Sequence, residues 1–220
     1  MANILCLDFD DTIVLDNTTR QLFEEFADPA WHGFEERYHA GELSVEQFNA
    51  AALDLVEAPR EQITGFVRER ARPREGLLEL CDWAHWNGWL VTVVSSGFDI
   101  CSGPVLDRLG LDRVTRHTGR TERGYRWRVR YYSPRGIELQ DGFKLSYAQA
   151  YRNAGDFVVY AGDGESDIAA AQLARVVFAR SSLLTALNGQ RGCVFAFDTF
   201  QDVTRVLARE VAHWEAGETG

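Results

Sequence analysis

The sequence predicts an α/β fold with a doubly wound parallel sheet as its core and a small α-helical cap domain inserted into it. Two apolar, β-branched runs, 90–94 and 157–161, have the composition of buried parallel strands and lie between segments with helical spacing. These runs and the first strand end in polar loops, as parallel sheets with a ligand site at one edge commonly do. By contrast, the long segment 17–72 shows helical spacing throughout and no strand pattern.

The first strand and the inserted helices come from the N-terminal third of the chain. Residues 4–7 form an apolar run that is too short for a helix. Four short helices follow, and the third begins with Ser44 and Gln47, the spacing of a capping box. Pro59 suits the first turn of the fourth helix. We therefore expect a helical cap domain over 16–73 and a core domain formed by 1–15 and 74–220.

The remaining two thirds of the chain alternate between strand and helix patterns, which makes the expected core Rossmann-like. The segment 114–132 alternates on both sides of Gly124 and is interpreted as a β-hairpin. The other predicted elements are helices at 77–86, 99–109, 143–153 and 168–174, strands at 90–94, 157–161, 176–179 and 193–197, a closing helix through Val203, Val206, Leu207 and Val211, and a frayed tail at 215–220.

Composition excludes several classes of partner. A net charge of −10 argues against general nucleic-acid binding, which needs clustered cations. The chain has no apolar run of about 18 residues, so no membrane partner is expected. Its four cysteines are widely scattered and contain no C-x-x-C pair, which indicates buried thiols in a reducing compartment. We expect a cytoplasmic protein, and no pattern indicates its oligomeric state.

Acidic side chains follow the first strand. Asp8, Asp10 and Asp11 arrive where a parallel strand would end, and alternation places Asp8 and Asp10 on one side with Phe9 on the other. Crowded carboxylates cost free energy unless a cation or a reaction uses them. The pattern therefore favours a metal-assisted nucleophile with a proton-transfer partner. A turn stabilised by local side-chain hydrogen bonds is the alternative.

Two further loops bring polar groups to the same predicted edge. Ser95 follows the strongest β run, and its hydroxyl, with the amides of Ser96 and Gly97, could bind phosphate oxygens. Asp163 and Asp167 flank a turn into a helix, where both could face a cation beside Asp8. Asp163 is the better direct metal ligand, whereas Asp167 would act through water or orient its neighbours. For each loop, simple helix capping is the alternative.

Lys144 is the only lysine among 23 Lys and Arg residues. Arginine has replaced lysine at every other basic position, although the two are often exchangeable on a solvated surface. They differ where a compact ammonium must fit beside a phosphate. Lys144 is therefore a candidate catalytic residue, with chance survival on a surface helix as the alternative.

Together these residues resemble the haloacid dehalogenase superfamily of phosphohydrolases. Its D-x-D-x-T motif corresponds to residues 8–12 and its G-D-x-x-x-D motif to residues 162–167, while the serine and lysine of the other two motifs correspond to Ser95 and Lys144. The order and spacing agree over nearly the whole chain. A helical insertion between the first two motifs resembles the first cap type of the family.

The resemblance implies a Mg²⁺-dependent phosphatase of a small phosphate ester. It implies that Asp8 attacks phosphorus to give an aspartyl-phosphate and that Asp10 protonates the leaving oxygen. Asp8, Asp163 and the backbone carbonyl of Asp10 would bind Mg²⁺, an ion suited to an all-oxygen site. Lys144 would neutralise Asp8 and a phosphoryl oxygen, while Ser95 would donate to another.

Within the superfamily, the loops 93–99 and 162–167 resemble the phosphoserine phosphatase branch. That branch binds the amine and the carboxylate of serine through a Glu and an Arg, which fall on Asn17 and near Ala52 here. We therefore do not expect phosphoserine as the substrate. The segment 26–31 and the long insert before Lys144 resemble a neighbouring group that includes the diketo-methylthio-phosphopentane phosphatases.

Two other functions remain open from the residues alone. A haloacid dehalogenase would share the fold without using Mg²⁺, and a non-catalytic phospho-aspartate signalling or binding domain also combines acids, a hydroxyl and a lysine. Side chains of the cap and the hairpin are candidates for contacting the organic part of a substrate, with core packing or a solvated strand face as the alternative for each. They are Asn17, Trp31, His32, Tyr38, Tyr125, Trp127, Arg128 and Arg130.

The lone lysine gives a direct test. We expect Lys144→Arg to fold normally and to lose about 10²-fold or more in turnover, because a larger planar cation would displace the nucleophile or the phosphoryl group. Lys144→Ala should be no better. Circular dichroism and phosphatase assays of the two variants check this, and near-native turnover of Lys144→Arg would remove Lys144 from the site.

Overall fold

The computed structural model describes residues 1–111, 113–189 and 193–215. Within these ranges it contains eight strands and ten helices. In chain order they are β1 (Asn3–Leu7), α1 (Thr18–Phe26), α2 (Trp31–His39), α3 (Val45–Asp54), α4 (Arg60–Arg70), α5 (Leu77–Trp86), β2 (Leu90–Phe98), α6 (Asp99–Arg108), β3 (Thr115–Arg123), β4 (Trp127–Tyr132), β5 (Glu138–Leu139), α7 (Phe143–Asn153), β6 (Phe157–Gly162), α8 (Ile168–Ala171), β7 (Val176–Ala179), α9 (Ser181–Leu187), β8 (Val194–Ala196) and α10 (Phe200–Glu215).

One sheet organises the molecule, with strand order β5-β4-β3-β2-β1-β6-β7-β8. The strands from β3 to β8 in this order are parallel to their neighbours, and β4 and β5 extend the sheet in antiparallel pairing. Alternate residues of β1 enter two separate cores, Leu5 and Leu7 on one face and Ile4 and Cys6 on the other. The predicted doubly wound parallel sheet is confirmed.

The register of the central strands determines where the polar loops meet. Leu7 of β1 pairs with Val93 of β2 and with Ala161 of β6. The loops that follow these three positions therefore leave the sheet at the same edge and the same height. Asp8, Ser95 and Asp163 each lie one or two residues beyond a paired position, so all three reach one site.

The elements differ from the predicted ones in several places, and strand β5 was not predicted. Strand β2 continues to Phe98 instead of ending at 94, with an irregularity in its pairing to β3 between Val94 and Phe98. The hairpin exists as β3 and β4, but β3 also pairs in parallel with β2 and so joins the main sheet. Helix α9 has no counterpart in the sequence prediction. The predicted frayed tail lies beyond residue 215, outside the described residues.

The four predicted helices of the inserted segment occur as α1–α4, and the capping box of Ser44 and Gln47 is formed. The chain enters and leaves this segment side by side. Val14 forms an isolated antiparallel bridge with Pro73, and Asp16 pairs with Arg72 at 2.8 Å. These contacts join the two ends of the segment that we predict to be a cap at 16–73. None of the helices in the described ranges is both long and apolar enough to cross a membrane.

Candidate active site

A wide single turn over Phe9–Ile13 presents the first acids. Within it Asp11 has a left-handed conformation (φ 56°), which is unusual for a residue other than glycine. The buried guanidinium of Arg74 stabilises this turn, because Nη2 donates to Asp11 O at 2.6 Å and Nε donates to Thr12 O at 2.7 Å. Arg74 therefore holds the strained main chain in place. Such a conformation persists only where surrounding groups stabilise it, and it is common at functional sites.

Asp8 and Lys144 form a buried ion pair. Each residue is only 4% exposed, and Lys144 Nζ lies 2.8 Å from Asp8 Oδ1. Apart from this contact with Lys144, no described residue donates a hydrogen bond to Asp8 Oδ1. An oxygen in that position is available to a further ligand.

Asp167 anchors the lysine from the other side. Its carboxylate is fully buried and accepts hydrogen bonds from Lys144 Nζ at 2.6 Å and from the Tyr160 hydroxyl at 2.5 Å. Its second oxygen accepts from the backbone amides of Asp163 and Gly164 at 3.1 and 3.0 Å. Both oxygens of Asp167 are thus engaged by protein groups.

Asp163 is less fully bound than Asp167. Its Oδ1 accepts one hydrogen bond, from Thr12 Oγ1 at 3.2 Å. Carboxylate oxygens of Asp8, Asp163 and Asp167 lie within 4.8 Å of one another, close enough to hold one metal ion. Of these three residues, Asp8 and Asp163 retain more capacity for an outside ligand than Asp167.

The crowding of carboxylates shifts their proton affinity. Burial, followed by the neighbouring Asp167, raises the pKa of Asp8 well above its usual range, although Lys144 opposes the shift. Burial and the Asp167 and Asp11 carboxylates raise the pKa of Asp163 to about 7. Burial opposes the charge of Lys144, but Asp167 and Asp8 outweigh it and raise the pKa of Lys144.

The carboxylate of Asp10 points away from this cluster, towards α1. Its Oδ1 accepts from the Thr18 amide at 2.7 Å and from Thr18 Oγ1 at 2.6 Å, and its Oδ2 accepts from Thr19 Oγ1 at 2.8 Å. Burial raises the pKa of Asp10, and the threonine hydrogen bonds oppose that shift. A raised pKa favours the protonated form that a general acid needs.

Residues 95–97 form the second wall of the site. Ser95 and Ser96 are buried, and the Gly97 amide donates to Ser95 Oγ at 3.1 Å. A Cβ at Gly97 would lie 2.8 Å from Thr19 Oγ1 and 3.0 Å from Asp10 Oδ2. Glycine is therefore needed here for the close approach of the strand to Asp10.

The predicted catalytic and phosphate-binding residues line one cavity of about 230 Å³. Of the candidate substrate contacts, Asn17 and Tyr38 line it. Trp31 is instead buried in the core. The cavity wall on the cap side consists of Asn17, Thr19, Arg20, Phe23, Glu35, Tyr38, His39, Val45, Phe48 and Asn49.

The other candidates lie elsewhere. His32 stacks on the ring of Trp31 and is not a lining residue of this cavity. On the hairpin, Trp127 is fully buried and its indole donates to Ala58 O at 2.9 Å. Tyr125, Arg128 and Arg130 line a separate surface pocket. Core packing and a solvated strand face, the alternatives for these hairpin residues, describe what the structure shows.

Several residues of the site were missed from the sequence. In the sequence prediction, Arg74 is only the first residue of the core segment 74–220, and Tyr160 is only part of the strand at 157–161. Thr18 and Thr19 could have been noticed as hydroxyl residues at the start of a helix, a common location for side-chain hydrogen bonds. Glu46 and Asn49, which link α3 to the core, carried no distinguishing signal in the pattern of that helix.

A comparison with family models identifies the family of the chain. The model described as haloacid dehalogenase-like hydrolase matches residues 5–172. The chain belongs to this family. The match extends from β1 through α8 and so includes every predicted motif residue. The prediction of family membership from the four motifs is confirmed.

Relatives within the haloacid dehalogenase-like family are named phosphatases. The 2-hydroxy-3-keto-5-methylthiopentenyl-1-phosphate phosphatase of Exiguobacterium sibiricum is 31% identical over 206 residues, covering 91% of this chain and 93% of the relative. The bifunctional enzyme MtnB/MtnX of Bacillus licheniformis is 29% identical over 217 residues, covering 96% of this chain. This chain spans about half the length of the bifunctional enzyme, 51%. The predicted phosphoric monoester hydrolase is confirmed.

Among solved structures, an aspartyl-phosphate analogue complex of a phosphoserine phosphatase superimposes with a TM-score of 0.70. It is 21% identical, and the match covers 93% of this chain and 98% of that chain. A substrate-bound phosphoserine phosphatase gives a TM-score of 0.69 at 20% identity. At this identity the likeness shows a shared fold.

The close packing at Gly97 gives a testable prediction. We expect Gly97→Ala to lose about 10²-fold in turnover with little change in secondary structure, because the added methyl group would displace Asp10 or Thr19. Gly103→Ala, in helix α6, is the matched control, since its Cβ would meet no atom within 4 Å. Equal turnover of the two variants would show that the Asp10 position is not sensitive to this contact.

Proposed function

We propose that this chain is a Mg²⁺-dependent phosphatase with Asp8 as the nucleophile. Its substrate is a small phosphate monoester whose organic group is uncharged. The observation that carries the proposal is the buried cluster of Asp8, Asp163 and Asp167 with a single ammonium, Lys144. If all three carboxylates are ionised, one lysine leaves two negative charges unbalanced. Burial of such an excess is unfavourable unless a cation joins the cluster.

The donor set suits a hard divalent cation. Asp8 and Asp163 supply carboxylate oxygens, and the carbonyl of Asp10 is the third protein oxygen in the proposed set. Asp8 Oδ1 supports this assignment, because Lys144 is its one partner among the described residues and a carboxylate oxygen can accept from a second ligand. Mg²⁺ prefers oxygen ligands of this kind and, when bound, would neutralise phosphate charge next to the nucleophile.

The chain's own residues account for the remaining requirements of phosphoryl transfer. Asp8 attacks phosphorus in line with the leaving oxygen and becomes an aspartyl-phosphate, which water then hydrolyses. Lys144, held between Asp8 and Asp167, stays charged and orients both the nucleophile and a phosphoryl oxygen. Ser95 and the amides of Ser96 and Gly97 bind the other oxygens, while Asp167 positions Lys144 and the 163–164 turn.

Proton transfer is assigned to Asp10. Its carboxylate lies beside Gly97 and the start of α1, between the phosphate loop and the cap, where a leaving alkoxide would emerge. In the first step Asp10 gives a proton to the leaving oxygen, and in the second it removes one from the attacking water. Thr18 and Thr19 fix the carboxylate for both steps.

The residues of the cap wall favour a substrate whose organic group is uncharged. Phe23, Val45 and Phe48 provide an apolar surface in the cavity, and the charged wall residues Arg20 and Glu35 pair with each other. The residue at position 52, near which a carboxylate-binding arginine was expected from the phosphoserine branch, is an alanine buried in the core. A phosphate ester whose carbon chain carries hydroxyl, keto and methylthio groups, as in the name of the Exiguobacterium relative, is the leading substrate candidate.

Metal removal tests the mechanism. Excess EDTA should abolish hydrolysis of p-nitrophenyl phosphate, and added Mg²⁺ should restore activity and raise the Tm, because the ion binds only the folded acidic cluster. Asp8→Asn should lose at least about 10³-fold in turnover, since an amide cannot attack phosphorus. Its Tm without Mg²⁺ should be no lower than that of the unsubstituted chain, because one buried carboxylate is removed.

Retained hydrolysis of p-nitrophenyl phosphate in excess EDTA would contradict the metal dependence. Release of halide from a haloacid in EDTA, with no turnover of any phosphate ester, would instead favour a dehalogenase-type reaction. Binding of phosphate without any turnover would favour the non-catalytic phospho-aspartate domain.

A substrate panel tests the proposed specificity. We expect the kcat/KM of phosphoserine to be at least about tenfold below that of the best phosphate ester with an uncharged hydroxyl- or keto-bearing group. The reason is that position 52, near which the phosphoserine branch has its carboxylate-binding arginine, is an alanine. The measurement is kcat/KM across small phosphate monoesters with Mg²⁺ present. A higher kcat/KM for phosphoserine than for the other esters would contradict this interpretation of the cap wall.

A further inference from the structure

Glu46, in the first turn of α3, is a buried carboxylate outside the proposed catalytic set. It is 4% exposed, and none of the ion pairs among the described residues includes it. Taking a carboxylate out of water without a counter-ion is unfavourable unless hydrogen bonds compensate. The hydrogen bonds of Glu46 therefore indicate what the residue does.

Both of those bonds cross from the cap segment to the core. Glu46 Oε1 accepts from the Phe143 amide at 3.1 Å and from Ser96 Oγ at 3.4 Å. Phe143 begins α7, and Gly142 before it has no side chain that could cap the helix. Glu46 thus caps α7 from another element, and its negative charge faces the positive end of the helix dipole.

The helix that Glu46 caps carries Lys144 in its first turn. A positive charge at the start of a helix is unfavourable, because the exposed amides there are also positive. The carboxylate of Glu46 offsets this effect one residue before Lys144. It also fixes the main chain from which the Lys144 side chain extends to Asp8.

A second residue of α3 holds the other wall of the site. Asn49 Nδ2 donates to Ser96 O at 2.8 Å, and the Tyr131 hydroxyl donates to the same oxygen at 2.6 Å. Glu46 and Asn49 are three residues apart and lie on one face of the helix. One face of α3 therefore contacts both the phosphate loop and the start of α7.

We propose that Glu46 is a positioning residue that sets the distance between Lys144 and the loop 95–97, so that α3 is a fixed wall of the phosphate site. The proposal rests on the proposed phosphatase function. Glu46 acts on phosphate affinity through Phe143 and Ser96 and contacts no substrate atom itself. Loss of its hydrogen bonds would let the two phosphate-binding groups move apart.

A general role in joining the cap segment to the core is the competing explanation. Ser44 provides the comparison, because it lies on the same turn of chain and donates from Oγ to Gln140 O at 2.7 Å. That bond also joins α3 to the core, but it contacts neither α7 nor the phosphate loop. If Glu46 only joined the two parts, Ser44→Ala and Glu46→Ala would have the same consequences.

The experiment compares Glu46→Ala, Glu46→Gln and Ser44→Ala in the full chain with Mg²⁺ present. The Ki of inorganic phosphate against p-nitrophenyl phosphate hydrolysis, kcat/KM and Tm are measured for each variant. We expect Glu46→Ala to raise the Ki about tenfold or more, since a hydrogen bond to a charged group is lost. Glu46→Gln keeps an acceptor oxygen and should stay within about threefold of the unsubstituted chain. Ser44→Ala should lower the Tm without changing the Ki.

An unchanged Ki in Glu46→Ala, or an equal rise in Ser44→Ala, would overturn the proposal while leaving the phosphatase function intact. If Glu46→Ala does not fold, Asn49→Ala takes its place, and an unchanged Ki there would count against the positioning role in the same way. An unsubstituted chain that neither turns over p-nitrophenyl phosphate nor binds phosphate would overturn the proposed function and this proposal together.

Discussion

The buried ammonium of Lys144 is the interaction on which the site depends. It joins Asp8 at the end of β1 to Asp167 beyond β6, at 2.8 and 2.6 Å, and it reaches them from α7. Removal of Lys144 would leave Asp8 and Asp167 without their shared cation, and removal of one partner from a buried ion pair typically costs about 3–5 kcal/mol. Three separate segments of the chain must therefore be in place for any one of these charges to be tolerated. The chemistry and the packing of the core edge are coupled through this single cation.

The same constraint explains why small residues border the cluster. A Cβ at Gly162 would lie 2.7 Å from Asp167 Cγ. Strand β6 can therefore approach Asp167 this closely only because residue 162 is glycine. Tyr160, two residues earlier, directs its hydroxyl to the same carboxylate. The strand thus supplies both the space for Asp167 and one of its hydrogen bonds. Residues that look like ordinary strand core are in fact the supports of a charged group.

The sequence was informative where function depends on local pattern. Strand β1 and its acids, the motif loops and Lys144 were predicted because each signal occupies a few consecutive residues or a unique residue type. Arg74, Glu46 and Tyr131 were missed because their contacts join positions 35 to 97 residues apart. The extension of β2 was missed for a related reason. Ser95, Ser96 and Gly97 have the composition of a loop, and only contacts with distant elements bury them in the strand. Local patterns predict which groups react, but they do not predict which groups hold them.

The helices of the cap segment differ in how they are connected to the phosphate site. The first residues of α1, Thr18 and Thr19, are hydrogen-bonded to Asp10, and α3 is bound to Ser96 and the start of α7. Helix α2 is different, because its side chains contact other cap helices, for example Glu35 with Arg20 and the ring of Tyr38 with Phe48 at 5.5 Å. Its side chains still face the cavity. Substitutions on α2 can therefore change what the cavity accepts without moving the phosphate site.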